Sequence, residues 1–544
     1  MTRAKPGRIS LHDKYPEIIP TVSAFISSAG FAASEKRDKA EGKLMGATVK
    51  ALSKNVLSSV GALSSCSEST VRRLGFPAST NRKAASRYKN VLNFRVVPTR
   101  NDQNEEDSDE HAYSARVKLV REFGVHFSES VLVASCDNKN KIKVGTLAVD
   151  RHVKAKRLFR TDDAPRVLSH DFPLGSKYNI TPMGYLLLPP PKEKQLSFDE
   201  NGRKHYKTPN SGPMYIVNRA CAYFSSTIEP HVNDLIAILP QHLNGRTILA
   251  CITDNGPDWN WSSLVNIIFA GRLFRSLALD ALLCLSYCPG HSMYNIVEHV
   301  WAPTTKALVG KTFPATLPGE KVPPTSQTQL SEEERQEKHV RVMNAAIEEL
   351  NSYWNVLTFD RFPIRASYQP CMAPSVPYSD HARLKKLLET LSMAAVDPVF
   401  AKDLDFASKH MSRRIDTLVF KKCDSADCEH CSQHPVVAIE AMRFLAQRST
   451  FPDAIPSTAH PGHFLTFFDL LEGNSEEGGM EPDLAFSRYQ TLVEKLGGTA
   501  RCAICPSYTF YSVADMKRHN FLLHKKRKEA MPATEPLKKK MRMQ

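Results

Sequence analysis

The chain has 544 residues, too many for one hydrophobic core, and a typical domain size of about 150 residues predicts roughly three or four folded units. Its 42% hydrophobic and 24% charged residues exclude a wholly unfolded chain, while 35 prolines predict several loops and linkers. Lysine and arginine number 72 against 57 acidic residues, and the resulting +15 charge points to a polyanionic partner, with nucleic acid ahead of an anionic membrane.

The opening residues MTRAKPGRISLHDKYPEI carry no apolar run of signal-peptide length. The most apolar stretch, LVNIIFAGRLFRSLALDALLCLSY, is interrupted by Arg272, Arg275 and Asp280, so neither export nor a membrane span is expected. The 12 cysteines are unevenly placed, three of them clustered beside histidines and two in a C-x-x-C, which predicts metal ligands before disulfides.

Residues 1–100 are expected to be helical, from the apolar spacing in YPEIIPTVSAFISSAGFAA and ATVKALSKNVLSSVGALSS. In CSESTVRRLGFP, Ser67 or Ser69 is placed to cap a short helix bearing Arg72 and Arg73, and the basic segment NRKAASRYKNVLNFRVVPTR follows. This resembles a helix-turn-helix that grips DNA through Arg72 and Arg73; a small bundle whose arginines face solvent is the alternative. An acidic stretch, NDQNEEDSDE, reads as a linker.

Residues 115–315 change to strands separated by helices. SESVLVASCDNKNKIKVGTLAVD flanks Asp137 with apolar runs, and MYIVNRACAYFSS, TILACITD and ALLCLSY are further strand candidates. The helix candidates HVNDLIAILPQHL and SSLVNIIFAGRLFRSLAL lie between them, an order that predicts a mixed α/β sheet. After the linker FPATLPGEKVPPTSQTQ, residues 328–495 are expected to be helical and irregular, with a charged helix at SEEERQEKHVRVMNAAIEELNSYWNVL and a cluster at KCDSADCEHCSQH. A finger over 499–527 and a basic tail over 528–544 close the chain.

Three acidic residues are placed to meet at one edge of the predicted sheet. Asp137 ends its first strand, Asp254 ends TILACITD before the turn Asn255-Gly256-Pro257, and Glu298 lies one turn into the helix after PGHS. Carboxylates suit Mg²⁺ or Mn²⁺, which prefer hard oxygen ligands and keep positions open for water and phosphate.

ITDNGPDW and YCPGHSMYNIVEHVW resemble the second and third catalytic segments of DDE transposases and retroviral-type integrases, the third in its mariner-like form. Pro289, Gly290, Ser292, Asn295, Glu298 and Trp301 fill that pattern position for position, with 43 residues between Asp254 and Glu298. SCDNKNKIKVG is similar to the opening strand of the group but carries only Asp137 where related chains can carry an acidic pair. The resemblance implies an RNase H-like domain whose triad Asp137, Asp254 and Glu298 holds two Mg²⁺ or Mn²⁺ ions, for DNA hydrolysis and then attack by the freed 3′ hydroxyl. It also implies a homo-oligomer. The alternative is a chain of the same origin that no longer cuts and serves as a zinc-finger DNA-binding or chromatin protein.

CAICPSYTFYSVADMKRHNFLLH spaces Cys502, Cys505, His519 and His524 as a tetrahedral Zn²⁺ site requires, with Phe510 and Met516 as the small core of a ββα unit. It resembles the two-Cys, two-His zinc finger, with thirteen residues between the knuckle and the first histidine where twelve is usual. That register turns Ser512, Asp515 and Arg518 toward DNA bases; a protein- or RNA-binding finger is the alternative.

For a second zinc site the preferred set is Cys423, Cys428, Cys431 and His434, against metal-free loop residues. His460 and His463 are expected to be structural. Lys525, Lys526, Arg527 and Lys528, followed by Lys538, Lys539 and Lys540, resemble a bipartite nuclear-import signal; the alternative is a tail with nonspecific phosphate affinity. The chain is thus expected to be a multidomain α+β protein of the nucleus: a helix-turn-helix-like region, an RNase H-like mixed sheet, a helical and irregular region, and a ββα finger.

Overall fold

The computed structural model describes residues 11–22, 30–31, 43–45, 49–61, 64–75, 94–96, 109–145, 148, 178–288, 294–313, 331–371, 380–390, 398–448, 451–473, 486–505 and 507–524. Pro289, Gly290 and Ser292 of the third acidic segment lie outside these residues, as do the basic blocks from Lys525 to Lys528 and from Lys538 to Lys540.

The architecture is mixed α/β, built on one ten-stranded sheet whose strands are numbered here along the chain. They are β1 (Val131–Asn138), β2 (Ile142–Lys143), β3 (Asn179–Leu188), β4 (Met214–Ala220), β5 (Ile248–Thr253), β6 (Ala281–Ser286), β7 (Thr358–Phe359), β8 (Phe362–Tyr368), β9 (Met411–Arg414) and β10 (Thr417–Lys421). Their order across the sheet is β7-β8-β4-β3-β1-β5-β6-β10-β9, with β2 pairing β3. The central strands β1, β5 and β6 are parallel, β3 runs antiparallel to both β1 and β4, and the hairpin β9–β10 joins β6 antiparallel.

Apolar runs such as VLVASC, ILACIT and ALLCLS are what strands buried on both faces require, and all three are buried along their length. One cluster packs the helices Ile228–Ile238 and Leu264–Ser276 through Leu235, Ile268 and Phe274. The other packs Glu110–His126, Glu298–Ala307 and Glu332–Trp354 through Phe123, Trp301 and Trp354.

Segment 328–495, expected to be helical and irregular, is only partly so. It supplies β7 to β10, four strands on both flanks of the sheet, because TLVFK and FPIRASY are rich in branched and aromatic residues that suit a pleated surface. The first hundred residues also differ from a purely helical region. Besides the helices Val49–Ser59 and Glu68–Gly75, the strands Gly30–Phe31, Lys43–Met45 and Phe94–Val96 form a small sheet. Ser67 is the residue that caps the second helix, accepting from the Thr70 N–H at 3.3 Å. Val71 and Leu74 are buried there and Arg72 and Arg73 face solvent. No helix among the described residues is long and apolar enough to cross a membrane.

Candidate functional site

Strand register alone brings the first two carboxylates together. Ser135 of β1 pairs with Ile252 of β5, and two residues further along these parallel neighbours come Asp137 and Asp254. The chain then leaves β5 through a turn in which the Gly256 N–H donates to Asp254 Oδ1 at 2.9 Å.

Glu298 is delivered by contacts that fasten its helix to β1. The Asn295 side chain donates to the Cys136 carbonyl at 3.1 Å and accepts from the Ser135 hydroxyl at 2.5 Å, while the Val297 N–H donates to that hydroxyl at 3.0 Å. Glu298 is the first residue of the helix Glu298–Ala307. One turn on, the Trp301 ring lies over Gly184, the register partner of Asp137; a Cβ on Gly184 would stand 2.4 Å from that ring. Glycine at 184 is therefore what lets the helix come close enough to place Glu298 beside Asp137. Lys139 adds a tie across the same junction, to the Trp301 carbonyl at 3.4 Å and to the Thr305 hydroxyl.

The three carboxyls sense one another. Burial, then the charges of Glu298 and Asp254 and a hydrogen bond with Glu298, push the Asp137 carboxyl well above the usual carboxylate range, although the Asn138 N–H at 2.7 Å pulls the other way. Asp254 is also raised, chiefly by burial; the Gly256 N–H opposes this and the nearby Asp258 adds to it. Such a set suits a hard divalent cation that would neutralise the crowded charge. The three carboxyls are nonetheless not the tightest ligand groups. Among the described residues, those with all ligand atoms within 4.8 Å of one another are two Cys/His clusters.

The first cluster is His410, Cys423, Cys428 and Cys431. A tetrahedral zinc centre has ligand-to-ligand edges of about 3.3 to 3.8 Å, given metal bonds near 2.3 Å to sulfur and 2.0–2.1 Å to nitrogen. Here Cys423 Sγ lies 3.7 Å from Cys431 Sγ, and His410 Nε2 lies 3.3 and 3.4 Å from the thiols of Cys431 and Cys428. The sulfurs are far beyond disulfide length, and all cysteines are free. His410 Nδ1 donates to the Phe406 carbonyl at 2.8 Å, which leaves Nε2 with the lone pair a metal takes. His434, expected as the fourth ligand, is instead exposed beside His430, and His410 occupies its place from the end of the helix Pro398–His410.

The second cluster is Cys502, Cys505, His519 and His524. Cys505 N–H donates to Cys502 Sγ at 3.3 Å, the knuckle geometry, and His524 Nε2 stands 3.2, 3.7 and 3.1 Å from Cys502 Sγ, Cys505 Sγ and His519 Nε2. Residues five apart on a regular α-helix diverge by about 140°. The helix Val513–His519 gives way to a π-helical turn, Asn520–His524, which closes that gap. Burial and the neighbouring His524 hold the His519 imidazole neutral, its pKa lowered to about 3. Both clusters fit zinc.

The finger is docked onto the sheet. Arg413 of the edge strand β9 donates its N–H to the Ser507 carbonyl at 2.8 Å, and the Thr509 N–H donates back to Arg413 at 3.0 Å. The fully buried Arg413 guanidinium bonds the Thr509 carbonyl, pairs with Asp515 and lies 3.9 and 4.7 Å from the Tyr508 and Tyr511 rings. Asp515, expected to face bases, thus points inward and is committed to Arg413. Ser512 is exposed, with its hydroxyl accepting the Asp515 N–H at 3.1 Å as the helix cap, and Arg518 faces solvent.

Sequence reasoning missed His410, Asp258 and Arg413. His410 lies thirteen residues before Cys423, outside any compact motif, and Asp258 stood inside ITDNGPDW without a partner that sequence could reveal. No protein family, no curated protein and no solved structure matches the chain.

Proposed function

We propose that the chain is a DDE-type DNA transposase-like enzyme that cleaves and transfers DNA strands with Asp137, Asp254 and Glu298. The observation that carries this reading is the hydrogen-bonded approach of Glu298 to Asp137, two residues far apart in sequence, with Asp254 close enough to raise the Asp137 carboxyl. The sheet supports an RNase H-like reading: three antiparallel neighbours β4, β3 and β1, then β5 and β6 parallel to β1, with the acids at the ends of β1 and β5.

Two Mg²⁺ or Mn²⁺ ions would supply activation of the attacking oxygen and stabilisation of the departing one. The chain's own residues would hold and orient them: Asp137 and Asp254 from adjacent strands, and Glu298 from a helix locked by Asn295 and Trp301. Zn²⁺ in the two Cys/His clusters would be structural, since each has four protein ligands and no open position. DNA is the proposed partner, with exposed Arg72, Arg73 and Arg518 among its phosphate contacts, and the nucleus the proposed location.

The test is nicking and strand transfer on labelled duplex DNA by the zinc-loaded chain with Mg²⁺ or Mn²⁺. The expected result is metal-dependent cleavage that Asp254→Asn and Glu298→Gln abolish. Cleavage indifferent to both changes would overturn the assignment. DNA binding without any cleavage would favour a non-cutting zinc-finger protein.

A further inference from the structure

The finger meets the sheet with part of the face that a DNA-reading finger turns to bases. An aspartate there accepts from a base donor such as the cytosine amino group. In this chain the buried Asp515 carboxylate takes the Arg413 guanidinium instead, and it also accepts the Tyr511 N–H at 2.9 Å. Tyr511 adds a second grip, its hydroxyl donating to the Arg414 carbonyl at 3.0 Å and accepting the Asp416 N–H. Backbone bonds to Arg413 make residues 507–509 an added strand along β9. Met411, Ile415 and Leu418 share one buried cluster with Tyr508, Phe510 and Leu522.

The surface so covered is the hairpin β9–β10, whose two strands are held unequally. β10 pairs with β6 over five residues and with β9 over four. Among the described residues, β9 is paired with β10 and the finger only. The first Cys/His cluster closes the open end of this hairpin. Met411 pairs with Phe420, His410 is the residue before Met411, and Cys423 lies two residues past Lys421, the end of β10. The finger grips the closed end, at Arg413, Arg414 and Asp416. Two groups of metal ligands therefore bear on opposite ends of one strand four residues long.

We propose that this is a protein-binding finger whose partner is the chain's own β9–β10 hairpin, and that metal in the first cluster holds the hairpin ready for it. The inference rests on the zinc reading of both clusters. Metal held by His410, Cys423, Cys428 and Cys431 fixes the start of β9 against the end of β10, which presets Arg413 for Asp515. Metal binding to such sites is coupled to the folding of the segments that carry the ligands. By linkage, each site then raises the metal affinity of the other by the same factor.

The full chain loaded with Co²⁺ tests this, because the visible absorption of Co²⁺ distinguishes the two-thiolate finger from the three-thiolate cluster. Chelator competition followed at the two-thiolate band gives the metal affinity of the finger, and thermal melting is recorded in parallel. His410→Ala and Arg413→Ala are each expected to weaken that affinity by about 5- to 150-fold. In the Arg413→Ala background, His410→Ala should add nothing further, because the first cluster acts through docking. Finger affinity unchanged by His410→Ala, or a double variant clearly weaker than Arg413→Ala, overturns the link between the sites. Finger affinity unchanged by Arg413→Ala overturns the hairpin as its partner. An unaltered chain that takes up fewer than two metal equivalents removes the zinc reading and this inference with it. Should His410→Ala or Arg413→Ala fail to melt cooperatively, Cys428→Ser, at a half-buried position, and Asp515→Asn take their places.

Discussion

The acidic edge and the Cys/His clusters hold ligands of opposite character, and they are assembled differently. At the clusters, thiol and imidazole atoms already stand 3.1–3.7 Å apart, close to the edges of a zinc tetrahedron. At the acidic edge, like charges oppose the same crowding, and burial with the charges of Glu298 and Asp254 pushes the Asp137 carboxyl well above the usual carboxylate range. Thiols and imidazoles can be packed together while uncharged, the thiols deprotonating only when a metal binds, whereas carboxylates are brought together against their mutual repulsion.

Removal of zinc should break the comparison most visibly. The first cluster ties residues on either side of the hairpin β9–β10, and the second lies in the finger packed on β9, so chelation should loosen one whole flank of the sheet. Structural zinc contributes apparent free energies of about 10–16 kcal/mol in isolated fingers, so a fall in melting temperature of more than about 10 °C is expected by calorimetry. His410→Ala should remove one zinc equivalent in metal analysis and His434→Ala none.

Arg413→Ala should come next. It leaves the Asp515 carboxylate buried without its partner, a change that costs about 3–5 kcal/mol. Denaturant unfolding should show this loss while zinc content stays unchanged, separating the docking of the finger from its metal.

A smaller effect, of opposite sign, is expected at Asp137. Its folded pKa is raised, so between the unfolded value near 3.9 and the raised folded value the folded chain binds the extra proton. Stability from this group therefore falls as pH rises through that window. Mn²⁺ should offset the loss, raising the melting temperature more at higher pH. Without Mg²⁺ or Mn²⁺, Asp137→Asn should stabilise the chain by about 0.5–2 kcal/mol. A melting temperature unchanged by both pH and Mn²⁺ would count against the edge as a cation site.

The smallest effect belongs to the exposed arginines. Arg518→Ala, like Arg72→Ala and Arg73→Ala, should alter stability by no more than about 0.5 kcal/mol. Each that touches a phosphate should lower the slope of log binding constant against log salt by about one, measured by fluorescence anisotropy on duplex DNA.

What was legible in the sequence follows from how locally each feature is encoded. The knuckle and histidine pair of the finger lie within one short segment, so their spacing alone specifies the cluster. The central strands announce themselves as continuous apolar runs because both faces are buried. His434 had the attractive spacing, but burial decided for His410, which comes from the end of a helix and is oriented by the Phe406 carbonyl. Asp515 sits where a free finger would face bases, yet β9 offers Arg413, a partner 102 residues away in the chain that no local pattern encodes. β7 to β10 escaped notice for a related reason: they are only two to seven residues long, and the strands that accept β8 and β10, β4 and β6, lie far earlier in the chain.

The sequence separations of the ligands also set an order of assembly. Each soft cluster is contained in a stretch of just over twenty residues, 410–431 and 502–524, so closing its loop costs little chain entropy and can happen as soon as that stretch emerges from the ribosome. The acidic edge waits for residues 137 and 298 to meet across a completed β1–β5 pairing. During synthesis the chain would therefore have its acidic edge in place before the last flank of the sheet has been translated, and that flank would arrive with two compact Cys/His modules. Those two modules would then be the last pieces that the sheet receives.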